Sequence, residues 1–322
     1  MGRLAGGSDG VIRYILQRLA GLIFVLFAVS VITFGLMRSV PGGPFDLGEQ
    51  PVSAATQAAL EAKYGLDGPV WLQYVRYMGN ALQGDFGVPF QAPNLTVLEL
   101  IGDAWPVTLA IGAPTILISY IVGTFLGVTA AVRQNTWLDY VVSFGATLGL
   151  VLPSFVIAIW LILIFSVNLN WLPAGGWTGD FGRPKEYILP VIAYSLTPTA
   201  LVARYTRASL VDTLGADYVR TARSKGLAER FVLLRHAGRN ALIPCVTVLL
   251  PEIPNILTGS IFIEAAFRIP GLGRFFVTST FTRDYPMIMA LVLLIATLWG
   301  VTYLITDLLY TFLDPRIRLT GR

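Results

Sequence analysis

Apolar residues fill several runs longer than the roughly 18 residues that mark a membrane-crossing helix. Six spans are predicted, over about 14–37, 105–132, 139–167, 187–203, 241–263 and 287–313. The runs are continuous, whereas barrel strands alternate in short segments, so a β-barrel is excluded. The fold class read from this pattern is an all-α polytopic membrane protein. Two polar stretches interrupt it. Residues 38–103 are acidic and rich in Gly and Pro, yet Ala54 to Tyr64 and Trp71 to Leu82 carry helical patterning. Residues 204–239 form a basic island with eight Lys/Arg against Asp212, Asp217 and Glu229. The predicted organisation is an N-terminal cytoplasmic segment with the first span (1–37), an extracytoplasmic subdomain (38–103) and a transmembrane core (104–322) carrying a loop at 204–240.

Composition agrees with the runs. Of 322 residues, 55% are hydrophobic and 13% charged, and mean hydropathy is +0.67. The net charge of +4 is no nucleic-acid signal, because the basic residues cluster at span ends. Arg3, Arg13, Arg18, Arg133, the island, Arg316, Arg318 and Arg322 fall on one side, which is therefore read as cytoplasmic, with both termini. After Arg13 and Arg18, the apolar stretch from Leu19 to Met37 is longer than the apolar region of a signal peptide and no Ala-x-Ala site follows, so it reads as an uncleaved first span. Trp171 and Trp177 suit an outer interfacial loop. Cys245, the single cysteine, forms no intrachain disulfide and reads as a buried thiol.

The island has a pattern that orientation alone does not require. Val219, Ala222, Leu227, Phe231 and Leu234 recur near helical spacing, and Gly226 interrupts the run. Two short helices about a glycine corner make a compact knob, since Gly accepts the positive φ that ends a helix. The bland reading of the same charge is a patch facing lipid headgroups. Elsewhere Glu252, between Pro251 and Pro254, is the most suspect acid inside an apolar run, either lining a polar path or making a structural hydrogen bond. Asp307 reads as a helix-packing or salt-bridge group and Asp139 as a cap of the third span. The Gly123-x-x-x-Gly127 pair permits close helix packing. His236, the one histidine, lies among cations and lacks companion ligands, so no metal site is expected. No nucleophile–base set is recognisable, and no phosphate-binding Gly-x-x-x-x-Gly-Lys-Ser/Thr loop occurs, so the chain has no usual means of binding ATP.

Asp217-Tyr-Val-Arg-Thr-Ala-Arg-Ser-Lys-Gly226-Leu227, with Leu234-Arg-His-Ala and Arg239-Asn-Ala-Leu-Ile-Pro244, resembles the cytoplasmic loop of ABC-importer permeases of the dipeptide/oligopeptide/nickel family. Supporting pieces run in order along the chain: Arg13-Tyr-Ile-Leu-Gln-Arg18, Pro41-Gly-Gly-Pro44, Tyr64-Gly-Leu-Asp67, Gly84-Asp-Phe-Gly87, Arg204-Tyr-Thr-Arg207, Ile269-Pro-Gly-Leu-Gly273 and Leu313-Asp-Pro-Arg316. The long segment after the first span resembles the first of the two permeases in such systems. The general loop motif opens Glu-Ala-Ala; here Arg220, Thr221 and Ala222 stand there, and only the last alanine remains.

The resemblance implies a type I importer permease of six spans that is not itself an enzyme and holds no cofactor. It implies a second homologous permease, two ATP-binding subunits, an extracytoplasmic substrate-binding protein and the lipid bilayer as partners. Asp217, Tyr218, Arg220, Ala222, Arg223, Lys225, Gly226 and Leu227 would couple to the ATPase, and Glu252 would border the path. Peptides are the expected cargo. Nickel chelates or other solutes remain open, as does an ion-coupled secondary transporter using Glu252, although no internal repeat supports the latter.

Overall fold

A computed structural model describes residues 6–43, 45, 54–179, 183–233, 238, 248 and 250–313. The described residues contain helices and no strand. In order these are α1 (Gly6–Ser39), α2 (Ala54–Lys63), α3 (Val70–Ala81), α4 (Val97–Val132), α5 (Trp137–Val151), α6 (Ser154–Leu161) running into π-helical turns (Ile162–Asn168), α7 (Lys185–Leu214), α8 (Asp217–Ser224), α9 (Glu229–Phe231), α10 (Glu252–Leu257), α11 (Ile261–Ala266), α12 (Gly273–Phe281) and α13 (Tyr285–Leu313). The chain divides into two compact units. Among the described residues the first gathers those up to Pro106 with Leu272–Leu304, and the second Val107–Gly271 with 305–313.

Four helices are long and apolar enough to cross a membrane: α1 from Arg13, α4, α7 and α13. A fifth span arises if α5 and the Ser154–Asn168 segment count together. The sequence predicts one continuous third span; the structure bends it by 106°. Pro153 explains the break, because it has no amide to donate and forces Leu152 out of the α region (ψ 126°). The predicted span 241–263 falls largely on residues outside the description, as do Cys245 and His236; of it only α10 and α11 are seen as helices. Large apolar side chains point outward, with Phe24, Phe125 and Phe144 each about two-thirds exposed. A water-facing surface of that kind would be an open association site, whereas hydrocarbon solvates it.

Within the second unit, three helices are locked by small residues. A Cβ on Gly123 would lie 2.8 Å from the Thr199 carbonyl oxygen and 2.7 Å from Val202 Cβ, and one on Gly127 would lie 2.5 Å from the Ala203 oxygen. The Gly-x-x-x-Gly pair therefore sets a backbone-to-backbone approach of α4 to α7, as small residues do between membrane helices. Contacts advance together along both helices, so α4 and α7 run the same way. On the other face Gly149 meets Ala200 and Leu196, while Asp139 meets Arg207, so α5 runs opposite to α7. The turn bearing Arg133 and the end of α7 consequently share one end of the unit. A core of Ile111, Ala158, Leu189, Ala193, Ile263 and Phe267 fills the other end.

In the first unit, Val97, Ile101 and Ala104 of α4 pack on Leu272, Met287 and Leu291. The predicted helices of the 38–103 segment are α2 and α3. Asp284 is buried ahead of α13 and accepts bonds from the Gln91 amide at 3.3 Å and the Met287 amide at 3.4 Å. Burial pushes its carboxyl above the usual value, against the pull of those amides.

Candidate functional site

The basic island is not a single loop. Its first third, through Leu214, continues α7 well beyond the predicted end at Ala203. Arg207 lies on that extension and clamps Asp139 of α5: Nη2 donates to Oδ2 at 2.7 Å and Nε donates to Oδ1. Asp139 is buried, so this pair carries a desolvation penalty that its bidentate geometry must offset. Its predicted role as a helix cap understated it. Asp139 does accept the Asn135 amide at 2.9 Å, but its main partner fixes the base from which the knob projects.

The chain leaves α7 at Gly215 and Ala216 and enters α8, where Asp217 sits in the first turn and Arg223 in the last, complementing the helix dipole at both ends. Gly226 follows with φ +76°, the left-handed corner the sequence predicted. The chain then turns into the single helical turn of α9. Val219 and Ala222 of α8 pack on Val232, with Leu214 against them, as a core of the knob's own. Across the corner, Arg223 grips Glu229 with Nη2 to Oε1 at 2.6 Å and Nε to Oε2 at 3.1 Å. The Arg223 hydrogen bond, reinforced by its charge, holds the Glu229 carboxyl below the ordinary glutamate value. Arg220 pairs more loosely with Asp217 at 3.6 Å.

Seven of the eight predicted loop residues are exposed: Asp217, Tyr218, Arg220, Arg223, Lys225, Gly226 and Leu227. The eighth, Ala222, is buried and belongs to the knob's interior. The apolar positions do not share one face as their spacing suggests. Val219 and Ala222 face inward, while Leu227 and Phe231 face outward because Gly226 resets the helical phase; Leu234 lies outside the described residues. The result is a surface of three apolar or aromatic side chains, Tyr218, Leu227 and Phe231, among four cations and two acids. That combination suits a protein groove better than lipid headgroups alone.

Glu252 opens α10 behind Pro251 and is half-buried; among the described residues its carboxylate has no hydrogen-bond or ion-pair partner. Asp307 is half-buried on α13. Glu264 was missed by the sequence reading, and the fold buries it more deeply than either. Thr108 Oγ1 donates to Glu264 Oε1 at 2.8 Å, and a Cβ on Gly271 would lie 2.5 Å from that same oxygen; Gly259 approaches it from the other side. The available signal was the spacing of Gly259, Glu264 and Gly271, two residues able to come close to a carboxylate placed between them. Among the described residues no group of three potential metal ligands occurs.

Comparison with known proteins identifies the family. Residues 123–319 match the model for "Binding-protein-dependent transport system inner membrane component", and residues 11–112 match that for its N-terminal part. The chain is 40% identical over 308 residues to the oligopeptide transport system permease protein OppB of Salmonella typhimurium, covering 96% of this chain and all of that one. It is 40% identical over 307 residues to the dipeptide transport system permease protein DppB of Bacillus subtilis, covering 95% and 98%. A crystal structure of an amino acid ABC transporter with histidines aligns with 68% of this chain and 94% of that one, at 18% identity and a TM-score of 0.48. With both family models matched from residue 11 to 319 and relatives aligned end to end, this chain belongs to the inner-membrane permease family of binding-protein-dependent ABC transport systems.

Proposed function

We propose that this chain is one of two permeases of an ATP-driven importer of dipeptides or oligopeptides. The observation that carries this reading is the 40% identity, over 96% of the chain, to a permease named for oligopeptide transport, with a dipeptide permease equally similar. In this proposal the second permease completes the path, two ATP-binding subunits supply the energy, and a soluble protein delivers cargo from outside. The chain binds no nucleotide or other cofactor itself.

The knob at 217–232 is the proposed coupling element. Its outer residues, Tyr218, Arg220, Arg223, Lys225, Gly226 and Leu227 with Asp217, contact the ATPase, and Ala222 supports them from inside. Movement imposed on the knob passes to α7, which is continuous with the spans, and through Arg207–Asp139 to α5. Such coupling requires a stiff lever, and the knob's small core and the bidentate pair supply stiffness. The knob and the Arg133 turn share one end of the second unit, which supports a cytoplasmic assignment for both. Both termini are assigned to that side as well, residues 38–103 to the outside, and Glu252 to the border of the path.

Uptake by vesicles containing the complete importer tests the reading. Labelled di- or tripeptides are expected to accumulate only with ATP and the binding protein, and a proton gradient alone is expected to drive nothing. Accumulation of nickel chelates but not peptides would replace the cargo; gradient-driven uptake without ATP would replace the machine.

A further inference from the structure

The first unit contains a cavity of about 350 Å³ that the coupling reading does not use. Arg38, Lys63 and Arg76 line it, together with rings including Tyr64, Phe90 and Tyr285, and among its described lining residues there is no carboxylate. Three positive charges surround a space at the lower end of small-molecule pocket sizes and favour a negative group inside it.

Arg38 is fixed in place. Its guanidinium lies 5.6 Å from the Phe34 ring centre and 5.0 Å from that of Tyr285, and Nη2 donates to Gln73 Oε1. Gln73 is itself held, since its Nε2 donates to the Leu66 oxygen at 2.9 Å and the Gly68 oxygen at 2.7 Å. Arg38 Nε is buried with no hydrogen-bond partner among the described residues. Lys63 rests on the Tyr64 ring at 5.4 Å, and among the described residues neither Lys63 nor Arg76 makes an ion pair. Glu61 acts on Arg38 electrostatically but does not line the cavity. Beneath the cations the Tyr64 and Phe90 rings meet edge to face at 4.9 Å, and Phe90 meets Tyr285 at 5.9 Å. Tyr77 is committed elsewhere, donating to the Pro286 oxygen at 3.3 Å. The ionic groups among the described lining residues are thus all cationic, beside the neutral Asn80 amide and the Tyr64 and Tyr285 hydroxyls, and aromatic rings adjoin them.

We propose that this cavity binds an oxyanion joined to an apolar group: the cations grip the oxyanion and the rings take the apolar part. The site is separate from the coupling knob, so this inference does not rest on the knob's assignment. A soluble amphipathic carboxylate and a lipid headgroup phosphate both have this chemistry, and the test separates them.

The importer complex is purified into nanodiscs of zwitterionic lipid and titrated calorimetrically with N-acetylphenylalanine, and separately with its uncharged amide. In a second arm, the discs are doped with phosphatidylglycerol and lipid retention is read by native mass spectrometry. At least one anion is expected to bind, with its neutral counterpart much weaker. Lys63→Gln with Arg76→Gln is expected to weaken it by about tenfold or more, as loss of charge-assisted hydrogen bonds does. Both side chains are exposed, so the thermal stability of the complex should not change. Binding of the carboxylate assigns a soluble ligand and retention of phosphatidylglycerol assigns a lipid. Preference for neither anion over its neutral counterpart, or equal binding by the double variant, overturns the proposal. If the double variant loses stability, Arg76→Gln alone and the carboxylate-over-amide preference of the unaltered complex decide.

Discussion

Substitutions at Gly226 separate the backbone of the proposed coupling knob from its surface. A Cβ built on Gly226 meets nothing within 4 Å, so among the described residues no side chain obstructs a larger residue there. Among the described residues the penalty is the left-handed conformation at φ +76°. For alanine that strain is about 1–2 kcal/mol. Asparagine tolerates the region better, and a β-branched valine tolerates it worst. The knob has little reserve against such a cost, since its own core comprises Val219, Ala222 and Val232 and its ion pair is exposed. A loss of 1–2 kcal/mol lowers the ratio of formed to unformed corner by about five- to thirtyfold. Peptide uptake per ATP hydrolysed, in vesicles with equal subunit content, should therefore fall in the order Gly226, Asn, Ala, Val. Insertion of the spans should be unaffected, because it depends on apolar length and internal hydrogen bonding. Parental uptake by Gly226→Val would refute the coupling assignment. Equal loss with Asn and Val would show that the partner rejects any side chain there, and the strain argument would fail.

Cysteine placed at Ser224 should react only with reagents admitted to the cytosol, and cysteine at Thr178 with reagents outside intact cells; labelling of both from one side would disprove the topology. Gly127→Val should destabilise the complex by about 1–3 kcal/mol or block assembly, since its Cβ would sit 2.5 Å from a carbonyl oxygen, whereas Gly145→Ala, with open space around it, should leave the melting temperature near parental. Glu264→Ala leaves the Thr108 hydroxyl without its buried acceptor and should cost about 1–3 kcal/mol in thermal unfolding, with Glu264→Gln recovering part; an unchanged Ala variant would mean that the contact contributes nothing. Glu229 has a lowered folded-state value, so the Arg223–Glu229 pair supports the knob above the ordinary glutamate value of 4.5 and is lost as pH falls through the lower folded one. Arg223→Gln should return Glu229 to ordinary titration, read by carboxyl-selective NMR, and an unmoved titration would contradict the pair.

What could be read from the sequence depended on the range of the interaction that fixes each feature. Helix lengths in lipid follow from runs of apolar residues, so α1, α4 and α13 stand close to their predicted places. A positive-φ corner is a property of one residue and its neighbours, so Gly226 was legible as well. The third span failed at Pro153, where a local signal was present but was outweighed by the continuity of the apolar run. α7 extends past Ala203 for a different reason: Arg204 and Arg207 read as the polar end of a span, and only the fold shows that Arg207 has Asp139 as a partner on α5. Glu264 was least accessible. Its hydrogen-bond donor, Thr108, lies 156 residues away, and its cradle requires two glycines on either side of a turn that no periodicity announces. The same limit holds for both buried acids of the second unit. A cation on α7 meets Asp139 through two nitrogens, a pairing of side chains 68 residues apart, whereas a hydroxyl on α4 meets Glu264 from 156 residues away, and neither meeting is announced by the residues beside the acid.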